Sequence, residues 1–491
     1  MNTCKMALGC LCMAFLLAAC HSSKKLQKDA EKDNSGNQAQ KSDMARQGNF
    51  PPGEPPGPPP GGGQGQPPKG MPPGKGPGGG MPPGGMGSSF DTSLIKAALV
   101  VQNGAQSKSG ETIKADGENH SAIVTYNQAQ LTLDGDTIIT SGNTSSNDQS
   151  SFQGLNAAVL GRGESVIRMK GNSVKTTGAG ANAIFAYGKS IIYSADDVID
   201  CSAGGAHGLM ASGGGTIEAR NVNIITRGAN SGAVATDRGS GKITVTGGTI
   251  KAMGPDAPGI YSTGKITVSD ADITATGAEV AVIEGSNSII ANNSRLLCSF
   301  RNKCGVMIYQ SFSGDAEGVD GHFEMNGGSL NCSDEQGPLF FVTNSNANIF
   351  LRGVSIHAAS GILVKAESGR WGQSGSNGGK ANINADKQEL TGDLQADKNS
   401  LIRLSLKNHS RLLGHINANR DAQLVSVEID ATSSWELTKD SYVTTIKAIV
   451  SGDKVVNITG NGHSVYYDPK QNALLGNKKY TLENGGYLIP Y

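Results

Sequence analysis

The residues that could do chemistry are few and scattered. Carboxylates sit close together at Asp196-Asp197, Asp270/Asp272 and Asp320-Gly321-His322. Held on neighbouring elements, such groups can share a cation or divide the acid and base roles of glycosidic cleavage. Trp371, one of only 2 tryptophans, lies between Arg370 and Gln373 in a run of Gly, Ser and Asn. An exposed indole there would stack on a sugar ring or anchor a partner, and an indole folded back would cover the body of the protein. Cys201, Cys298, Cys304 and Cys332 are the thiols of the main body. The Gly-x-Ser-x-Gly elbow, His-Glu-x-x-His, the phosphate loop and the Gly-Gly-x-Gly-x-Asp calcium repeat do not occur, and the histidines stand singly. No catalytic residue, metal site or cofactor is therefore expected.

What positions these residues is a repeat. Residues 241–254 read GKITVTGGTIKAMG and residues 264–277 read GKITVSDADITATG. Ile243, Val245 and Ile250 in one copy correspond to Ile266, Val268 and Ile273 in the other. The i, i+2 pair lies on one face of a strand. The following step of five is too long for one uninterrupted strand and fits a bend between two. A third element, Gly259-Ile260-Tyr261, lies between the copies.

The frame recurs as Leu131/Leu133/Ile138, Ile167/Met169/Val174, Ile191/Tyr193/Val198, Ile217/Ala219/Ile224, Ile289/Ala291/Leu296, Phe323/Met325/Leu330 and Ile349/Leu351/Ile356. The third element recurs from Ala122-Ile123 through Ala281-Val282, Gly305-Val306 and Pro338-Leu339 to Gly361-Ile362, mostly 22–26 residues apart, with two intervals of 36 and 33. Three short strands per repeat and no apolar stripe at helical spacing describe a coil of β-structure. The long intervals imply ejected loops at 141–153 and 311–321, joined by a Gly-rich one at 367–379. On this frame Asp270 and Asp272 align with Gly247 and Thr249 in the preceding turn and with Asn292 and Ser294 in the next. No acidic column forms, and these carboxylates read as polar turns.

Composition agrees. Gly supplies 69 residues, aromatics only 5% and charged residues 17%, as a stack of thin coils filled by Ile, Val, Leu and Ala requires. Formal net charge is zero, so no basic face for nucleic acid is indicated. At the N-terminus, a 7–19 apolar run closes on Leu17-Ala18-Ala19-Cys20, which resembles the bacterial lipobox. The resemblance implies a signal peptide over 1–19 and a lipid on Cys20, and with them a membrane partner and a place in the cell envelope, at the outer membrane or cell surface. Residues 20–87 are polar, then built of PPG, MPPG and GGG, and are expected as a disordered stalk.

The fold expected is all-β, a single-stranded right-handed parallel β-helix over 88–400, with a cap at 90–103 and final turns plus a C-terminal cap over 401–491. The Gly-punctuated repeats resemble right-handed parallel β-helix proteins. The stretch Trp435-Glu-Leu-Thr-Lys-Asp-Ser-Tyr-Val resembles the segment that closes pertactin-like passenger domains of autotransporter adhesins. One departure is that no stretch after it could form a translocator barrel. The resemblance implies a lipid-tethered, adhesin-like rod that binds a glycan, a matrix component or an envelope or host protein without chemistry. The alternative is a polysaccharide lyase or hydrolase with an atypical site, although the Gly-His-Gly and Arg-Ile-Lys signatures of polygalacturonases are missing. Arg370, Trp371 and Gln373 are the candidate ligand-binding residues. Cys298 and Cys332 occupy the same place in adjacent turns, about 5 Å apart, a spacing that permits a disulfide. Pairing of Cys298 with Cys304 across the turn is equally allowed.

Overall fold

The structure, a computed structural model, describes residues 95–491. The expected signal peptide, Cys20 and the stalk lie outside the described residues. From residue 96 the chain winds into a parallel β-solenoid of about 16 turns. One strand from each of the first turns stacks into a 12-stranded first sheet, running from Lys96–Val101 to Asp393–Ala396. The other two strands of each turn flank a bend and form a 22-stranded second sheet. Lys96–Val101 pairs in parallel with His120–Thr125, so the expected N-terminal cap is the first turn itself.

The two most similar repeats show what stacks the turns. Ile243 and Val245 pair with Ile266 and Val268, and Ile250 with Ile273; all six side chains are buried. Between the inward pairs the chain bends at a left-handed residue, followed by a second one at Gly247-Gly248. In successive turns the bend residue is Gly135, Gly171, Asp196, Asn221, Gly247, Asp270 and Asn293, with φ between 47° and 69°. Gly, Asn and Asp are the residues that reach this conformation at least cost. Asp196 and Asp270 thus sit in polar turns. The alignment of the next turn moves by one: Asp270 matches Asn293, and Asp272 pairs with Arg295, whose Nε lies 2.9 Å from its carboxylate.

Two corners restrict side-chain size. The second bears small residues in register, Thr140, Thr176, Cys201, Thr226, Ala252, Ala275, Cys298 and Cys332, all buried. At the third corner a Cβ on Gly142, Gly178, Gly254 or Gly277 would lie 1.8–1.9 Å from a carbonyl oxygen of the preceding turn. Here glycine is required by close backbone approach, whatever its φ.

Some registers differ from the sequence frame. The inward residues of one turn are Ile192, Ser194 and Ile199, while Val198 is half exposed. In the first sheet Ile260 pairs with Ala281, Val306 with Phe340 and Phe340 with Val364, so Val282, Leu339 and Ile362 are displaced from the expected column. The cause is physical: Phe185, Met210, Tyr261, Val282, Met307 and Phe341 point out of the coil yet form a second buried apolar cluster. A sheet apolar on both faces loses the alternation that fixes parity.

After residue 400 the coil continues, Leu401–Lys407 pairing with Leu424–Ile429. Trp435 is wholly buried and its Nε1 donates to the Gly414 carbonyl at 3.0 Å. Leu437, Ser441 and Val443 of the same motif are also buried. The ladder then ends in antiparallel pairings, Val450–Ser451 with Lys454–Thr459 and Tyr480–Glu483 with Tyr487–Pro490, which turn the open edge back on itself.

Candidate functional site

The outer face of the first sheet is where insertions gather. Helix Asn147–Gln153 is capped by Ser146, whose Oγ accepts from Gln149 N at 3.3 Å, and by left-handed Gly154. It reaches across several turns, where Ser212 Oγ donates to the Phe152 carbonyl at 2.6 Å. The loop at 311–321 comes from the opposite direction. The two meet at Arg238, which stacks over the Phe152 ring at 4.0 Å and donates to Asp315 Oδ1 at 2.7 Å.

Beneath this clamp lies a carboxyl cluster that sequence spacing did not reveal. Glu284 Oε2 accepts from Tyr261 at 2.5 Å and Tyr309 at 2.8 Å; Oε1 accepts from Ser313 at 3.1 Å and from Ser311. Four hydroxyl donors leave this carboxyl little capacity for anything else. Asp237 projects outward two strands earlier in the stack and accepts only the Arg238 amide at 2.7 Å. Burial, then the neighbouring Asp315 charge, push its carboxyl well above the usual range. These groups lie far apart in sequence and meet only because the coil returns to the same face every turn.

Trp371 closes this covered half. Its ring centroid is 4.7 Å from that of Tyr309, Arg370 lies 4.4 Å above the indole, and the residue is 6% exposed. The indole is folded back on the coil, so the expected Arg370–Trp371–Gln373 ligand surface is not formed around an accessible aromatic face. Gln373 is exposed on the loop, with its carbonyl accepting from Ser376 N at 3.0 Å.

Beyond Trp371 the same face opens into a polar groove of about 670 Å³. Lys365 and Gln395 are register partners projecting from Ile362–Ala366 and Asp393–Ala396. The next turn contributes His415 and Asn417, and Asp421 and Lys439 form the far wall. His415 Nδ1 lies 2.7 Å from Asp393 Oδ1 and 3.3 Å from Thr438 Oγ1. Lys365 pairs with Glu367 at 2.9 Å. Burial raises Asp397, but bonds from Ser400 Oγ at 2.6 Å, Ser368 N at 2.9 Å and Asn399 N at 3.1 Å outweigh it and hold the carboxyl below the usual range. Among the described residues, the side chains of Gln395, Lys398, Asn419, Asp421 and Lys439 have no hydrogen-bond or ion-pair partner. The signal in the sequence was a change of type at one column, from Met307 and Phe341 to Lys365 and Gln395, visible only once the register is known.

Cys298 and Cys332 face each other in register; both are buried thiols, as are Cys201 and Cys304. Cys298 Sγ donates to the Cys304 carbonyl at 3.4 Å. Burial pushes the Cys201 thiol up to about 12, which leaves it inert at neutral pH. Compared with family models, curated proteins and solved structures, the chain matches none of them, so the chemistry of the groove rests on its own residues.

Proposed function

We propose that this chain is an envelope-displayed lipoprotein whose coil holds a glycan, without cleaving it, in the polar groove beyond Trp371. The observation that carries the reading is the groove itself: about 670 Å³, spread over successive turns, with amide, ammonium and carboxyl groups uncommitted within the protein. The volume falls in the range of small-ligand sites. Carboxyls at Glu367, Asp393, Asp397 and Asp421 face ammonium groups at Lys365, Lys398 and Lys439. That near balance suits a neutral saccharide, whose hydroxyls both donate and accept. The Leu17-Ala18-Ala19-Cys20 run supports the lipid anchor, and the Pro/Gly stretch supports display at a distance from the membrane.

A second reading has one observation in its favour. His415 and Asp393, 2.7 Å apart within the groove, are a pair able to move a proton, as a polysaccharide lyase or hydrolase would need. The test is a glycan array with the whole chain, followed by calorimetry on the best saccharide and by product analysis. Binding without cleavage, weakened at least tenfold in Gln395→Ala/Asp421→Ala, supports the binding rod. Cleavage lost in His415→Ala transfers the assignment to the enzyme, and binding indifferent to the double substitution rejects the groove.

A further inference from the structure

A second, much smaller cleft lies on the covered half of the same face, and its chemistry is one-sided. Its walls include His207, Asp237 and Glu279, each at least nine-tenths buried, together with Met210 and the rings of Tyr261 and Tyr309. Apart from the partly exposed Asn230 amide, every polar side chain not already committed there offers an acceptor. Glu279 Oε2 is buried with no hydrogen-bond partner. Its other oxygen has only the Cys304 thiol at 3.9 Å and Lys303 Nζ at 4.0 Å. Asp237 has the Arg238 amide on Oδ1 and nothing on Oδ2. His207 Nδ1 lies 3.1 Å from the Gly232 carbonyl and must carry the proton; burial lowers the ring to about 4, so Nε2 is a bare acceptor at neutral pH.

The charge balance is equally one-sided. Asp237, Asp256, Glu279, Glu284 and Asp315 are five carboxyls gathered around two cations, Arg238 and Lys303. An orphaned buried acceptor costs about 1–3 kcal/mol, so Glu279 Oε2, with the unpaired Asp237 Oδ2 and His207 Nε2 lining the same cleft, calls for a donor that fills it. The free space, about 40 Å³, takes about three water-sized groups. A hard metal ion would ask for a shell of oxygen ligands, and among the described residues no group of three or more His, Cys, Asp or Glu side chains is close enough to supply one. Aromatic rings and a thioether beside carboxyls suit an organic cation instead.

We propose that this cleft binds a small ammonium-type cation, ammonium itself or the head of a primary amine, with Glu279 and Asp237 as counter-ions and Tyr261 as the aromatic wall. The site is separate from the polar groove and does not depend on it. The experiment is thermal melting of the whole chain at pH 8 in methylammonium chloride, against sodium chloride and tetramethylammonium chloride at the same ionic strength. Methylammonium, with three N–H donors, should raise Tm saturably, with half-saturation at least tenfold below any effect of tetramethylammonium, which has none. Glu279→Gln keeps the shape, supplies its own donor and should abolish the rise while remaining folded. Asp237→Asn, read in parallel, should weaken it at least fivefold. An equal response to all three salts, or a methylammonium response unchanged in both variants, overturns the assignment and leaves ordered water as the occupant.

Discussion

Replacing Glu284 by leucine should uncouple the two insertions from the coil. The carboxyl accepts four hydroxyl bonds, from Tyr261, Tyr309, Ser311 and Ser313. Ser311 has Ser313 Oγ as a second acceptor at 2.8 Å, and Ser313 is partly exposed to water. The two tyrosine hydroxyls are shielded from water, Tyr261 being 7% and Tyr309 4% exposed, and have only each other as a second partner. One tyrosine can donate to the other, so a single donor is stranded and Glu284→Leu should cost about 1–3 kcal/mol. Leucine fills most of the space, which keeps a cavity contribution small. The triple variant Glu284→Leu/Tyr261→Phe/Tyr309→Phe removes donors and acceptor together and should return to within about 1 kcal/mol of the parent. The assay is guanidinium unfolding followed by tryptophan emission in a Trp435→Phe background. Trp371, 4.7 Å from Tyr309, then reports this region alone, which matters because a solenoid need not unfold as one unit. A single variant that loses under about 1 kcal/mol, or a triple variant no better than the single, would refute the account.

Other perturbations follow from the same geometry. Gly254→Ala places a Cβ 1.8 Å from the Gly228 carbonyl oxygen and should disrupt stacking at that turn, read as lost amide-exchange protection in residues 242–252 but not beyond residue 400. Cys332→Ala should be tolerated within about 1.5 kcal/mol because the column already alternates Ala, Thr and Cys, whereas Ala275→Leu should cost about 1–3 kcal/mol by overpacking. Asp237 has its folded pKa raised, so its contribution is present below the ordinary value of 3.8 and is lost as pH rises. Asp237→Asn should therefore be more stable than the parent at pH 8, with the difference closing as pH falls to 3.8. His207 runs the other way: with its pKa lowered from 6.5 to about 4, stability should fall as pH drops through that window, and His207→Gln should flatten the slope.

The coil was legible because its inward positions obey a rule that sequence can carry. Ile243, Val245 and Ile250 repeat, and the bend between them demands Gly, Asn or Asp. Where the second sheet faces water on its outside, alternation survives and the register follows, except at Ile191, Tyr193 and Val198, where apolar residues also occupy the outward parity. It failed at Val282, Leu339 and Ile362, where insertions bury the outer face and both parities are apolar. Trp371 illustrates the same limit from the other side. Its Gly- and Ser-rich surroundings read as an exposed loop, yet the loop lies against Tyr309 and the indole becomes part of the cover. The carboxyls of the covered cleft escaped notice for a different reason. Asp237 and Glu284 share a column but are separated by the turn that carries Thr263, and Glu279 occupies another position, so aligning adjacent repeats shows no acidic neighbours where the fold gathers them.

The insertions thereby decide which part of the coil's outer face is covered. A uniform stack offers the same outer face at every turn and favours no point along it. Helix Asn147–Gln153, the 311–321 loop and the Trp371 loop cover that face in succession, and Arg238 ties the first two together. What they cover is apolar and acidic, and it retains a cleft of about 40 Å³. After Trp371 no cover follows, and at the same column the side chains change from Phe341 to Lys365 and Gln395. Polar residues are what an uncovered face needs in water, but solvation alone does not require a concave surface of about 670 Å³ with His415 held beside Asp393. Concavity, uncommitted donors and acceptors, and a boundary set by a buried tryptophan together favour recognition at this end of the sheet over a coil that serves only as a spacer.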